Sequence, residues 1–71
     1  MTEFIYLRTD ERVTTKNNVN NLHIGDYLKV KCDDGISCFE GVVENIEHEI
    51  RKWHNGNGLE RSTHDIKIVI R

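Results

Sequence analysis

Apolar residues in this chain come in short runs, and most runs alternate with polar residues at a period of two, the repeat of a half-buried strand. "THDIKIVIR", residues 63–71, is the clearest case. Ile66, Ile68 and Ile70 point one way, and Asp65, Lys67 and Arg71 the other, with Val69 on their side. From Leu28 the set Leu28, Val30 and Cys32 alternates with Lys29 and Lys31, which turns an apolar face inward and two ammonium groups outward. "EFIYLR", residues 3–8, reads as a first strand with Phe4 and Tyr6 on one face and Ile5 and Leu7 on the other, so both faces are expected to be covered. Turn chemistry separates these runs. Gly25-Asp26 precedes one strand, and Asp33-Asp34-Gly35 is a hairpin turn, in which Gly tolerates positive φ and Asp33 can bond the backbone ahead of it. A return strand starts near Ile36 and runs through Cys38, Phe39 and Val43; Gly41 inside it predicts a bulge or a close backbone approach.

Two segments resist a simple reading. Residues 9–21, "TDERVTTKNNVNN", are polar with Val13 and Val19 as anchors, and read as a long loop pinned by Val13 and a second place to look for a binding surface. Residues 42–54, "VVENIEHEIRKWH", fit two periods. As a strand, Val42, Ile46 and Ile50 share a face with Glu44 and His48 between them. As a helix, Val43, Ile46, Ile50 and Trp53 form an apolar stripe, Glu47 and Arg51 pair at i,i+4, and Gly56 sits where a cap belongs. A long strand bent at Gly41 is the favoured reading, because the rest of the chain is β-rich; the helix is the alternative.

The run "IGDYLKVKCDDGISCFEGVVENIE" resembles the core hairpin of small SH3-like barrels of the KOW and Tudor kind. The run covers about a third of the chain, and the matching residues are Gly25, Asp26, Leu28, Val30, Asp34, Gly35, Phe39, Gly41, Val43 and Ile46. The resemblance implies five short strands curled into a barrel with a non-enzymatic binding role toward RNA, DNA-associated proteins or peptides. The expected fold is therefore mainly β, a small five-stranded SH3-like barrel over residues 1–71 as a single domain. The alternative is α+β, with residues 42–54 helical and packed on an antiparallel sheet. The chain departs from nucleic-acid-binding members in its acidic total charge, and from methyl-lysine binders because Phe4, Tyr6, Tyr27, Phe39 and Trp53 do not assemble into an aromatic cage.

Size and charge narrow the function. At 71 residues the chain is near the lower limit for folding without staples, burying only roughly 60% of the surface its unfolded form exposes. A homodimer or another partner would relieve so small a core. Net charge is −2, with five Lys/Arg against six Asp/Glu in each half, so the chain as a whole lacks the net basic footprint of a sequence-blind nucleic-acid binder. Locally the balance shifts: Glu40, Glu44, Glu47 and Glu49 come without an intervening base, whereas residues 51–71 hold five bases against Glu60 and Asp65. "MTEFIYLRTD" lacks a basic start and a long apolar run, and no stretch approaches the roughly 20 apolar residues of a membrane span. A soluble cytoplasmic protein without membrane contact is the expectation. Cys32 and Cys38 fit a reducing compartment better than a disulfide framework, and read as small buried hydrophobes facing each other across the hairpin.

Candidate chemistry is sparse. Cys32, Cys38, His23, His48, His54 and His64 are ligand types, but the spacing of the two cysteines is too wide for a zinc knuckle. Cys38 with His48 or His64 would be the pairing for nucleophilic catalysis, yet no nucleophile elbow, phosphate loop or paired-carboxylate motif accompanies it. No metal, cofactor or enzymatic activity is expected. "RKWHNGNGLER" is more informative, because Trp and Arg concentrate at protein interfaces. The expected partner-contacting residues are Arg51, Lys52, Trp53, His54, Asn55, Asn57 and Arg61, with Tyr27. Trp53 has a second reading as the residue that closes the bottom of the core. The expected partner is a protein, the chain acting as an accessory or inhibitory module with the economy of small phage or mobile-element proteins that block host machinery. In the alternative, Trp53 or Tyr27 stacks on bases of RNA or DNA while Arg51, Lys52, Arg61 and Arg71 contact phosphates.

Overall fold

The computed structural model describes every residue except 32–36, 55, 57 and 59, with Ser37, His54 and Glu60 described by backbone alone. Five strands follow in order: β1 (Thr2–Tyr6), β2 (Glu11–Thr15), β3 (Tyr27–Lys31), β4 (Ser37–His54) and β5 (Glu60–Ile70). They form one sheet, in the order β2-β1-β5-β4-β3, that curls into a nearly closed barrel. The chain is all-β, with no helix among the described residues. β1 and β5 run parallel and every other neighbouring pair is antiparallel.

Alternation sets the interior. On β5, Ile66, Ile68 and Ile70 are at most 1% exposed while Lys67 faces solvent. On β1, Phe4 lies beside Ile68 in register, and Tyr6 beside Ile70. Phe39 and Val43 of β4 complete the buried cluster, with Val13, Val19, Leu22, Leu28, Val30 and Ile46 packed against it. The Tyr6 and Phe39 rings stack with centroids 5.1 Å apart. Ile5, on the opposite face of β1, is also buried, while Leu7, expected on that same face, is exposed just past the strand end, so the second face is covered in part.

β4 resolves the ambiguity of residues 42–54: it is a strand, and its direction of alternation changes partway. Phe39, Gly41 and Val43 point inward at odd positions, yet Ile46 is the next inward residue. A register shift between Val43 and Asn45 inserts the extra residue that this change of parity requires. The three-residue step from Val43 to Ile46, which suits a helix, is thus the trace of a bulge. Gly41 is the close approach foreseen for it: a Cβ there would lie 2.3 Å from the Arg71 carbonyl oxygen. Val42 and Arg71 exchange two backbone hydrogen bonds of 3.0 Å at the same point.

Residues 9–21 are not the single long loop expected. Glu11–Thr15 pair with β1 as an edge strand, with Val13 opposite Phe4. The turn before it closes through Asp10, whose φ is +60° and whose N–H donates to the Tyr6 carbonyl at 2.8 Å. Only Val13 turns its side chain to the core, so pairing with β1, not burial of its own apolar face, holds this strand.

The segment after β2 crosses one end of the barrel and is clamped by Thr2, which is fully buried. The Thr2 hydroxyl donates to the Asn17 carbonyl at 2.9 Å and accepts from the Val19 N–H at 3.0 Å. Thr2→Val is expected to cost about 1–3 kcal/mol, because a part-buried donor and acceptor lose their partner while volume is kept. Thr2→Ser, which retains both bonds, should cost less, and urea denaturation of the two variants checks the order. Cys38, expected as a reduced thiol, is half-buried and disulfide-bonded; Cys32 and the Asp33-Asp34-Gly35 turn lie outside the described residues.

Candidate functional site: the distal β4–β5 hairpin

β4 and β5 outrun their neighbours. β3 pairs with β4 only as far as Val42, and the residues before β3 add two hydrogen bonds at Val43, whose N–H donates to the Asp26 carbonyl and whose carbonyl accepts from the Gly25 N–H, each at 2.8 Å. On the other side, β1 begins opposite Ile66, where the Ile66 N–H donates to the Met1 carbonyl at 2.9 Å. Beyond these points the ladder continues between β4 and β5 alone, through Glu49↔Asp65, Ile50↔His64, Arg51↔Thr63, Lys52↔Ser62, Trp53↔Arg61 and His54↔Glu60. At about 3.3 Å per residue, this two-stranded ribbon projects on the order of 20 Å from the barrel. It accounts for the elongated outline of 47 × 27 × 21 Å.

Directly opposed residues share a face, so the register fixes what each side presents. One face continues the barrel interior into solvent. Ile46 and Ile68 are followed by His48 and Ile66, then Ile50 and His64, then Lys52 and Ser62. Ile66 is buried, but Ile50, one step further out, is 69% exposed because nothing of the barrel reaches over it. On this face the His48 Nδ1 and His64 Nε2 are 2.9 Å apart, and the two rings stack at a centroid distance of 5.1 Å. One ring nitrogen donates and the other accepts in this contact, the roles following from the tautomers. Sequence reasoning noted both histidines without pairing them: they are 16 residues apart, and only the register makes them diagonal neighbours.

The opposite face is graded by charge. Nearest the barrel stand Glu47 with Lys67 and Glu49 with Asp65, then Arg51 with Thr63, then Trp53 with Arg61. Acidic groups therefore gather at the base and basic groups with the indole toward the tip. Glu49 and Asp65 are like charges directly opposed, an unfavourable placement. It is offset by Arg51, whose Nε donates to Glu49 Oε1 at 2.6 Å, and by the Met1 ammonium 3.5 Å from Asp65. The Glu49 carboxylate in turn raises the Arg51 pKa above its ordinary value, first through that hydrogen bond. A cleft of about 150 Å³ lies at the base, lined in part by Glu3, Glu47, Glu49 and Lys67. That is well below the several hundred cubic ångströms usual for a small-molecule site.

Arg51, Trp53 and Arg61 thus share one face of the ribbon, Lys52 stands on the other beside Ser62, and the His54 backbone ends β4 next to them. Trp53 is 45% exposed and belongs to the projecting ribbon, not to the core cluster. Tyr27 is not part of this group. It stands on β3 opposite Val42, where its hydroxyl donates to the Glu40 carboxylate, a bond that raises the phenol pKa. Asn55 and Asn57 lie outside the described residues. Cys38 is separated from His48 by roughly 30 Å of extended chain and is held in a disulfide, so the sulfur–imidazole pairing considered for catalysis is not assembled. Among the described residues no group of three or more His, Cys, Asp or Glu is gathered in a way that could hold a metal ion. No helix among them is long and apolar enough to cross a membrane.

A small all-β barrel with a projecting hairpin is the class of molecule these features define. Compared with known proteins, the chain matches no family model, no curated protein and no solved structure.

Proposed function

We propose that this chain is a non-catalytic binding module that engages a protein partner through the distal half of the β4–β5 hairpin. The observation that carries this reading is the exposure of Trp53 on a ribbon clear of the barrel, flanked by Arg51 and Arg61 on the same face. An indole held on a paired strand gives a large contact area at little conformational cost, and Trp and Arg are the side chains that dominate binding hot spots. Such a module acts by covering a partner's surface, in an accessory or inhibitory role of the kind that small phage or mobile-element proteins play. Within SH3-like barrels, the Gly25 to Ile46 run aligns it with the KOW and Tudor kind, and the antiparallel pairing of β3 with the first part of β4 supports that assignment.

Trp53→Ala is expected to abolish capture of the partner from native lysate, the partner being named by mass spectrometry, while cooperative unfolding is retained. Capture unchanged by the substitution, or loss of the fold, overturns the reading.

The charge gradient along the ribbon favours a second reading, an arm that contacts RNA or DNA with Arg51, Lys52 and Arg61. On this reading affinity for an oligonucleotide falls steeply with salt, and Arg51→Ala combined with Lys52→Ala lowers the slope. A flat salt response excludes it.

A further inference from the structure

We infer that the outer edge of β4, from Glu47 to Trp53, is a self-pairing edge that takes the same edge of a second copy of this chain, antiparallel, about a two-fold axis at Ile50. The edge is open. Among the described residues β3 and its preceding segment cover β4 no further than Val43, and β5 occupies only the other side. A strand edge presents a row of backbone N–H and C=O groups, which natural proteins cover, bend away or guard with charge. The corresponding edge of β5 is partly taken, since Asn18 Nδ2 donates to the His64 carbonyl at 3.1 Å and Met1 occupies Ile66. Among the described residues no backbone hydrogen bond from another strand covers the outer edge of β4 past Val43.

Symmetry and charge then select the register. Two copies of one strand pair antiparallel only about an axis normal to the sheet, because directly opposed residues must lie on the same face. The axis therefore falls on a residue. Centred on His48, the pairing sets Glu47 against Glu49 of the second copy; centred on Glu49 or Arg51, it sets that residue against itself; centred on Lys52, it opposes two ammonium groups. Centred on Ile50 it sets Glu49 against Arg51 of the second copy, twice by symmetry, and Ile50 against Ile50. Acid precedes base along β4, so reversing one copy brings opposite charges together.

The local defects of the single chain are those this pairing removes. Ile50 is 69% exposed on a face that is otherwise the continuation of the core, and the pairing covers it with its own counterpart. Glu49, opposed by Asp65 across the β4–β5 ladder, gains an Arg51 from the other side. The product is a four-stranded ribbon, β5-β4-β4-β5, with the barrels at opposite ends. β3 pairs with β4 no further than Val42, outside the Glu47 to Trp53 stretch that this pairing uses. Both Trp53 side chains then stand on one face of that ribbon. The inference does not depend on which macromolecule that face binds.

Light scattering and sedimentation equilibrium on the intact chain test it by charge exchange. The wild type is expected to be a dimer. Glu49→Arg alone and Arg51→Glu alone should each weaken dimerisation by about tenfold or more, since each replaces two attractive contacts by two repulsive ones. An equimolar mixture of the two variants should restore a dimer, now mixed, and the double exchange Glu49→Arg with Arg51→Glu should dimerise by itself. Both positions are exposed, with side-chain exposures of 53% and 69%, and cooperative thermal unfolding of each variant confirms that the fold persists. A wild type that stays monomeric at millimolar concentration overturns the inference, as do single variants that associate like the wild type or a mixture that stays monomeric. None of these results bears on capture through Trp53, which Trp53→Ala reads separately.

Discussion

Ile68→Ala is expected to destabilise the chain by about 2–5 kcal/mol. Ile68 is fully buried at the middle of β5, the strand that lies between β1 and β4, with Phe4 and Ile46 beside it in register. Removing its branched side chain takes contacts from both neighbouring strands at once, and a barrel with its backbone held by ladders on either side has little freedom to collapse into the space. Total stability for a chain of this length is of the order of 4–10 kcal/mol, so the variant should be largely unfolded at 37 °C. The expected reading in urea is a midpoint far below that of the wild type with the slope unchanged. Ile24→Ala, at a position 66% exposed, should stay within about 0.5 kcal/mol of wild type. A small effect at Ile68 would mean that β5 is not the centre of the core.

Gly41→Ala is the second large effect, and it acts by crowding. The added methyl would meet the Arg71 carbonyl oxygen at 2.3 Å, the Ile70 Cγ2 at 2.9 Å and the Arg71 carbonyl carbon at 3.0 Å. Two of these are backbone atoms held by the paired hydrogen bonds between Val42 and Arg71, so no side-chain rotation relieves the clash. The chain must open where β4 passes from its pairing with β3 to its pairing with β5. The expected cost is about 3 kcal/mol, at the upper end of the overpacking range, and Gly41→Val should exceed it. Gly56→Ala is the control, because no heavy atom lies within 4 Å of the added carbon. Parallel denaturation curves of the three variants test the order.

These positions also mark how far the residues alone could be read. The alternation of Ile66, Ile68 and Ile70 specified a half-buried strand and its inward face, and Gly41 specified a close approach without its partner. β2 was missed because Glu11, Arg12, Val13, Thr14 and Thr15 contain one apolar residue. An edge strand of that kind is held by the ladder it joins, and its own pattern need not announce it. Residues 42–54 were ambiguous for a different reason. A bulge shifts an alternating pattern by one, and over a short window the shifted pattern imitates a helical stripe. Trp53 illustrates the consequence, since the helical stripe would have placed it with Val43 and Ile46 in the core, whereas it is exposed on the ribbon.

The candidate site divides in the same way. Residue type points to Arg51, Lys52, Trp53 and Arg61; the register of β4 with β5 puts Arg51, Trp53 and Arg61 on one face and Lys52 on the other. Tyr27 was grouped with them on composition and stands apart, because proximity to a tight turn says nothing about which end of a long strand a residue faces. The contact of His48 with His64 is not legible in the residues alone, for it depends on the register of β4 with β5.

The residues alone dictate local features: the period of two, the inward isoleucines, the need for glycine at Gly41, and a strand whose charges run from acid to base. These follow from each residue's own chemistry and that of its immediate neighbours. Tertiary structure decided the rest. It placed the parity change at Val43 to Asn45 and ended β1 and β3 short of the hairpin, which leaves Ile50 and Trp53 in solvent on a free ribbon. Exposure of an apolar residue depends on whether another strand passes over it, and that is a property of strand lengths and registers distributed over the whole chain.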